Sequence, residues 1–203
     1  MPDFSLELDT GGRVCGIDEA GRGPWAGPVM AAAVVLDPAR TPDALCAAID
    51  DSKKLSAKRR EGLFDQILDC AAAIGVGRAE VEEIDRLNIL CATHLAMARA
   101  FAALDPPPAS ALVDGNQPPP LDCPVRCVVR GDALSLSIAA ASIIAKVSRD
   151  RVMAALAAIY PGYGWERNAG YGTAEHRAGL VQHGVTTHHR TSFSPIQDMI
   201  PKT

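Results

Sequence analysis

Short apolar segments alternate with helical patterns along this chain, and this alternation restricts the possible folds more than any other feature. Residues 14–18 and 28–36 predict two short strands, the second apolar on both faces, joined as a hairpin across a glycine-rich turn. Further strands are predicted at 73–80, 110–116 and 125–129. Strands with helices between them indicate an α/β protein whose central mixed β-sheet is flanked by helices.

Helices are predicted between these strands and after them, at about 56–73, 81–87, 88–104, 136–160 and 173–183. Ser56 is placed to cap the first of them. With 203 residues, 48% of them hydrophobic, the chain can bury a sizeable core, and the sequence shows no internal repeat or linker. We therefore expect one domain over residues 1–203.

The chain contains no apolar run of the roughly 20 residues that a membrane-spanning helix needs, and its first residues do not resemble a secretory signal. We expect a cytoplasmic protein. Its net charge of -4 argues against a protein that coats nucleic acid through bulk electrostatics. Residues 52–60 nevertheless hold five basic residues and no acidic one, which is either a local nucleic-acid contact or a solvated helix start.

Acidic residues lie at the ends of three predicted strands: Asp18, Asp114 and Asp132. Ligand sites of α/β proteins form just outside the carboxyl edge of the sheet. Clustered carboxylates repel one another, so they need a compensating hard cation such as Mg²⁺. Two such ions about 4 Å apart can activate a water and stabilise the departing oxygen of a phosphodiester. The alternative is that each aspartate only caps a turn.

Glu19 directly follows Asp18, and neighbouring residues of a regular strand point to opposite faces. We therefore expect the first strand to end or bulge at Glu19, which the following glycines permit. The bare backbone from Gly21 to Gly23 would let a sugar-phosphate chain approach closely, and Arg22 adds a cation near a phosphate.

Six motifs occur in one order along nearly the whole chain: "DEAGRGP" (18–24), "DSKKLS" (51–56), "EIDRLNIL" (83–90), "VDGN" (113–116), "SIAAASIIAKVSRD" (137–150) and "GYGTAEH" (170–176). Together they resemble the ribonuclease HII family. The resemblance implies a ribonuclease H-like fold with a small helical, substrate-binding C-terminal extension over about 162–203. It also implies a monomeric endonuclease, dependent on Mg²⁺ or Mn²⁺ with two ions during catalysis. Such an enzyme cuts the RNA strand of RNA/DNA hybrids and incises ribonucleotide-containing duplex DNA 5′ of the single ribonucleotide, leaving a 3′-hydroxyl and a 5′-phosphate.

The resemblance also implies roles for individual residues. The four catalytic, metal-binding acids fall on Asp18, Glu19, Asp114 and Asp132, with their distribution between the ions left open. The sugar-reading loop falls on Gly21, Arg22 and Gly23, and the junction-reading tyrosine on Tyr171, which would stack on a ribose. One departure is Arg130, where the family usually has lysine, so the contact made there is expected to differ.

Candidates for contacts with backbone phosphates are Lys53, Lys54, Lys146 and Ser142. Each lysine is alternatively a solvated surface residue, and Ser142 alternatively packs within its helix. The adjacent histidines at 188 and 189 are poorly disposed to chelate one ion, and we expect them at the surface or facing phosphate. Residues 197–200, "QDMI", are a candidate sliding-clamp motif, although Ile196 and Met199 could instead pack on the body.

Three other functions are weighed against this one. A ribonuclease HIII shares the catalytic pattern but carries an additional N-terminal domain, for which the dozen residues before the first strand leave no room. A non-catalytic nucleic-acid-binding relative is disfavoured because all four acids are present. A metal-dependent phosphatase is disfavoured because nothing resembles a DxDxT nucleophile motif.

Overall fold

A five-stranded sheet forms the centre of the protein in the computed structural model, which describes residues 1–49 and 55–200. Its strands are β1 (Val14–Ala20), β2 (Val29–Val35), β3 (Ala73–Ala79), β4 (Ser110–Asp114) and β5 (Val125–Val128). They are arranged in the order β3-β2-β1-β4-β5. β1–β2 and β2–β3 are antiparallel, whereas β1–β4 and β4–β5 are parallel. The predicted mixed sheet is confirmed.

Within the described ranges the helices are α1 (Ser5–Thr10), α2 (Asp43–Ala48), α3 (Ala57–Cys70), α4 (Val81–Leu87), α5 (Ile89–Ala102), α6 (Leu136–Ile159), α7 (Trp165–Asn168), α8 (Ala174–His183) and α9 (Ser194–Gln197). A 3₁₀ turn covers Gly131–Ala133. Ser56 caps α3 as predicted, because its side chain accepts a hydrogen bond from the Arg59 amide. None of the helices described here is long and apolar enough to cross a membrane.

Small residues let the helices approach both faces of the sheet closely. A Cβ atom on Gly16 of β1 would lie 2.1 Å from the Ser137 carbonyl carbon of α6, and one on Gly75 of β3 would lie 2.0 Å from the Ala100 oxygen of α5. One apolar cluster fills the space between the sheet, α3 and α6, and a second lies between the sheet and α5. The sheet therefore sits between helical layers on both faces.

Strand β1 differs from the expectation that it ends or bulges at Glu19. It continues to Ala20, and its register with β2 stays regular, with Asp18 opposite Ala32, Glu19 opposite Ala31 and Ala20 opposite Met30. Ala20 is buried in the cluster under α6, which favours continuation of the strand. The prediction that the chain leaves the strand at the acidic pair is therefore wrong.

The C-terminal part of the chain adds three helices, α7, α8 and α9, to the end of α6. Their apolar side chains meet in a third cluster that includes Met153, Tyr163, Trp165, Leu180 and Ile196. Ala26, which follows the glycine-rich turn after β1, is buried in the same cluster. A backbone bridge between Ala26 and His189 also joins the two regions. This packing brings the C-terminal segment next to the residues that follow β1.

Candidate active site

Two aspartates meet at the carboxyl edge of the sheet because β1 and β4 are parallel neighbours. The register pairs Ile17 with Val113, so Asp18 and Asp114 are the next residues on the two strands. A pocket of about 250 Å³ opens there. Its lining contains the predicted side chains Asp18, Glu19, Arg22, Asp114, Ser142, Lys146 and Tyr171, together with Gly21 and Gly23.

Asp18 is a buried, strongly perturbed acid of this pocket. Only 4% of the residue is exposed. Burial raises the pKa of its carboxyl well above the usual range, and the charges of Glu19 and Asp114 raise it further. The Glu19 amide donates to Asp18 Oδ1 at 2.7 Å, and Ser142 also hydrogen-bonds the carboxylate. These bonds stabilise the ionised form only in part, so a bound cation would relieve the remaining repulsion.

Glu19 lies on the opposite face of the sheet from Asp18, as the regular strand requires. It is paired with Ala31, which packs in the cluster under α5. Arg22 Nη1 lies 3.5 Å from Glu19 Oε1. Glu19 borders the main pocket and also a smaller recess of about 60 Å³, whose lining includes His94 and Asp114. Glu19 therefore reaches the end of the sheet from the α5 side.

Asp114 is held by the segment that carries Asp132. The Gly131 amide donates to Asp114 Oδ1 at 2.7 Å. Asp132 follows on the 3₁₀ turn and is 6% exposed, but its side chain is not part of the main pocket lining. The structure thus brings three of the four predicted acids to one pocket and places Asp132 beside the group that holds Asp114.

Carboxylate oxygens are the ligands that Mg²⁺ and Mn²⁺ prefer, so the chemistry of this acid set fits a hard divalent cation. Across residues 1–49 and 55–200, no three histidine, cysteine, aspartate or glutamate side chains are grouped closely enough, as they stand, to hold an ion.

Residues 21–23, which we call the glycine loop, directly follow β1 and form part of the pocket wall. Gly21 has a φ of +98°, and a Cβ atom on it would lie 1.9 Å from Arg149 Nε. At Gly21 the absence of a side chain is therefore required by the protein's own guanidinium, which the sequence did not indicate. A Cβ atom on Gly23 would only touch Tyr171, at 3.4 Å from Cε1.

Tyr171 is half-exposed, with 48% of the residue accessible, and its ring stands next to the glycine loop. The Tyr171 carbonyl accepts a hydrogen bond from His176 Nδ1 at 3.0 Å. Lys146, also on the pocket wall, donates to Asp150 Oδ1 at 2.6 Å. Lys53 and Lys54 lie outside the described residues.

The expectation that the adjacent histidines lie at the surface is wrong for His189, which is 1% exposed. Its Nδ1 accepts from the Thr186 amide, so its Nε2 donates to His176 Nε2 at 3.0 Å. Trp165 Nε1 donates to the same His176 nitrogen at 3.1 Å. Both imidazoles are therefore neutral members of a buried network behind Tyr171.

Sequence reasoning missed two fully buried arginines next to the pocket, Arg149 and Arg190. An arginine within the alanine-rich, buried helix α6 is an unusual residue there, and this signal could have identified Arg149. For Arg190 the sequence contains no comparable signal, because its partners lie more than 160 residues earlier in the chain.

A mixed sheet in this order, with acids from neighbouring strands at its carboxyl edge, defines a nuclease of the ribonuclease H-like class. The family model described as Ribonuclease HII matches residues 15–196. The chain belongs to the ribonuclease HII family, and it cleaves RNA in RNA/DNA hybrids and at ribonucleotides embedded in DNA.

Two curated relatives support this assignment. The chain is 63% identical to the ribonuclease HII of Paramagnetospirillum magneticum over 196 residues, which is 97% of each protein. It is 62% identical to that of Rhodospirillum rubrum over 204 residues, covering 100% of this chain and 94% of the relative.

Three solved structures share the fold. The ribonuclease H2 of Pyrococcus horikoshii is 28% identical with a TM-score of 0.77, covering 92% of this chain and 96% of its own. Ribonuclease HII from Archaeoglobus fulgidus, solved in a complex with PCNA, is 26% identical with a TM-score of 0.71, covering 94% and 98%. Bst-RNase HIII in complex with Mn²⁺ is 19% identical with a TM-score of 0.73, covering 92% and 68%, and shows likeness of fold alone.

Proposed function

We propose that Asp18, Glu19, Asp114 and Asp132 hold two divalent ions and that the glycine loop and Tyr171 select the ribonucleotide at the cleavage site. The observation that carries this proposal is the burial of Asp18 between Glu19 and Asp114, which raises the pKa of its carboxyl. A protein retains such an unfavourable arrangement where a cation or a reaction uses it. Asp18, the most central of the four acids, is the proposed bridging ligand.

Mg²⁺ or Mn²⁺ bound there supplies Lewis-acid activation of water and stabilises negative charge on the departing oxygen. Either ion is proposed because both prefer carboxylate oxygens as ligands. The Ser142 hydroxyl orients Asp18 through their hydrogen bond. The Gly131 amide orients Asp114 in the same way. The chain thus fixes the direction of two carboxylates before substrate binds.

Tyr171 and the glycine loop are proposed to bind the ribonucleotide from two sides. The ring is accessible and stands beside Gly23, so a sugar entering the pocket would lie against it. Backbone groups of the loop can hydrogen-bond the 2′-hydroxyl, the group that distinguishes RNA from DNA. Membership of the family implies that the incision falls 5′ of the ribonucleotide, and this is part of the proposal.

Duplex phosphates are proposed to contact Lys53, Lys54 and Lys146, which would position the substrate without reading its sequence. Of these, Lys146 borders the pocket. The region from about 162 to 203 is proposed as the substrate-binding extension of a single domain, since Tyr171 belongs to it. A monomer in the cytoplasm remains a prediction.

A sliding clamp is a second proposed partner, supported by the PCNA complex of the Archaeoglobus fulgidus relative. Within residues 197–200, Met199 and Ile200 are exposed at 40% and 36%. Ile196 is fully buried in the C-terminal cluster and is unavailable for such a contact. The proposed contact therefore uses Met199 and Ile200.

The test incubates purified protein with two end-labelled duplexes, one with a single ribonucleotide and one of DNA alone, with and without Mg²⁺ or Mn²⁺. We expect one incision, 5′ of the ribonucleotide, only with metal, and nearly no turnover for Asp18→Asn although duplex binding remains. An Asp18→Asn enzyme that cuts at the wild-type rate would contradict the proposed metal site. Absence of cleavage with either ion would favour a non-catalytic relative.

A further inference from the structure

Arg190 holds the glycine loop from the protein interior. Arg190 is 0% exposed. Its guanidinium donates from Nη2 to the Gly21 carbonyl at 2.6 Å, from Nη1 to the Arg22 carbonyl at 2.9 Å, and from Nε to the Gly27 carbonyl at 3.0 Å. One side chain therefore fixes three carbonyls of a single loop region.

Arg149 makes a second set of three bonds beside the first. It donates to the carbonyls of Pro28 at 3.0 Å, Ala26 at 3.1 Å and Ala169 at 2.9 Å. Ala169 stands two residues before Tyr171, so Arg149 ties the backbone leading to the tyrosine to the backbone that follows the glycine loop. The loop and the ring are thereby held at a fixed separation.

Burial of these two guanidinium cations costs desolvation free energy. Burial, followed by the like charge of Arg149, lowers the pKa of Arg190 to about 9, and burial lowers the pKa of Arg149 to about 10. In the part of the chain that the structure describes, neither has a carboxylate within ion-pair distance. Apolar side chains would serve the fold as well or better. The hydrogen bonds to backbone carbonyls are therefore the specific contribution of the two buried guanidinium groups.

The direction of the carbonyls determines the direction of the neighbouring amides. In a trans peptide the C=O and the following N–H point in opposite directions. Because the Gly21 and Arg22 carbonyls face Arg190, the amides of Arg22 and Gly23 face away from it. Among residues 1–49 and 55–200, neither amide donates to a backbone carbonyl. Two adjacent N–H groups on the pocket wall are therefore available to a ligand oxygen.

We propose that Arg190 is a positioning residue for ribonucleotide recognition: it orients the peptides of the glycine loop so that the Arg22 and Gly23 amides meet an oxygen of the substrate sugar. The proposal rests on the proposed function of that loop. Pre-orientation matters because a loop that must be ordered on binding loses affinity to conformational entropy. Arg190 acts through the backbone and touches no reacting atom.

The test measures binding rather than cleavage, in an Asp18→Asn background with Mg²⁺ present. Fluorescence anisotropy gives the Kd for a duplex with one ribonucleotide and for the same duplex in DNA, and their ratio is the discrimination. We expect Arg190→Gln to lower this ratio about tenfold, as for loss of one ordinary hydrogen bond. Arg190→Lys, which keeps the charge but not the planar fork, should give an intermediate ratio.

Ile196→Ala is the matched control, because Ile196 is as fully buried as Arg190, lies in the C-terminal cluster and has no polar side-chain group that could contact the loop. It should lower the melting temperature and leave the discrimination unchanged. Folded Arg190 variants that keep the full ratio would overturn the proposal, as would an equal loss in Ile196→Ala. If Arg190→Gln does not fold, Arg190→Lys supports the same comparison. Absence of discrimination in Asp18→Asn alone would instead refute the ribose-reading role of the loop.

Discussion

Replacing each of the two loop glycines by alanine should separate a structural requirement from a functional one. At Gly21 the φ of +98° is unfavourable for an L residue, at about 1–3 kcal/mol. The new Cβ would also lie 1.9 Å from Arg149 Nε, so the guanidinium must move. Losing one charged hydrogen bond of Arg149 costs about 1.5–3 kcal/mol. We therefore expect Gly21→Ala to lower the free energy of unfolding by about 4 kcal/mol.

Gly23 has no such constraint, since its Cβ would meet Tyr171 Cε1 at an ordinary contact distance of 3.4 Å. Gly23→Ala should change stability by less than about 1 kcal/mol. Its methyl group would nevertheless stand between the loop and the ring, where the sugar is proposed to bind. A steric cost of about 1–3 kcal/mol there lowers kcat/KM by about 10- to 100-fold.

Thermal unfolding of metal-free protein and initial rates on a single-ribonucleotide duplex measure the two effects. For a chain of this length 1 kcal/mol corresponds to about 2–4 °C in Tm, so Gly21→Ala should unfold about 8–16 °C below the wild type. A Gly21→Ala protein as stable as the wild type would refute the packing argument. Equal destabilisation by Gly23→Ala would remove the distinction between the two glycines.

Three further outcomes are expected. Asp18→Asn should raise the Tm of the metal-free protein at pH 7.5, because it removes a carboxyl whose raised pKa makes folding less favourable, and it should abolish the rise that Mg²⁺ gives the wild type; scanning calorimetry with and without Mg²⁺ checks both. Tyr171→Ala should leave Tm within about 2 °C of the wild type, because the ring is half-exposed. It should lower kcat/KM on the single-ribonucleotide duplex about tenfold or more, and an unchanged kcat/KM would exclude the ring from recognition. Burial, followed by the charge of His176, lowers the pKa of His189 to about 4. The contribution of neutral His189 to the free energy of unfolding should therefore be present above about pH 6.5 and decrease by about 2 kcal/mol by pH 4.5. Urea titrations should show this pH dependence, and an unchanged pH dependence in His189→Phe would contradict its assignment to His189.

Much of the sheet could be predicted because its strands are apolar segments bounded by turn residues. The meeting of Asp18 and Asp114 could also be predicted, since both lie toward the carboxyl ends of predicted strands, where ligand sites of α/β proteins form. The continuation of β1 through Glu19 to Ala20 could not be predicted. It depends on pairing with β2 and on the packing of Ala20 under α6, which no local pattern of acids and glycines reports.

The elements missed by the sequence patterns are those stabilised from a distance. Helix α1 is too short to be stable alone. It is held through Glu7, whose Oε1 accepts from the Ser135 hydroxyl at 2.6 Å and from the Ser137 amide at 2.9 Å. The hydrogen bonds of Arg190 span 163 to 169 residues and are likewise invisible to a local reading. What could not be predicted was therefore the support of the site rather than its acids.

The reach of Arg190 across the chain also affects when the enzyme becomes competent during its synthesis. Domains generally fold as units while the polypeptide emerges. Arg190 is translated 169 residues after the Gly21 carbonyl that it binds. The Gly21 and Arg22 carbonyls therefore lack their guanidinium partner until that arginine has emerged and docked, and selective cutting is expected only from then on.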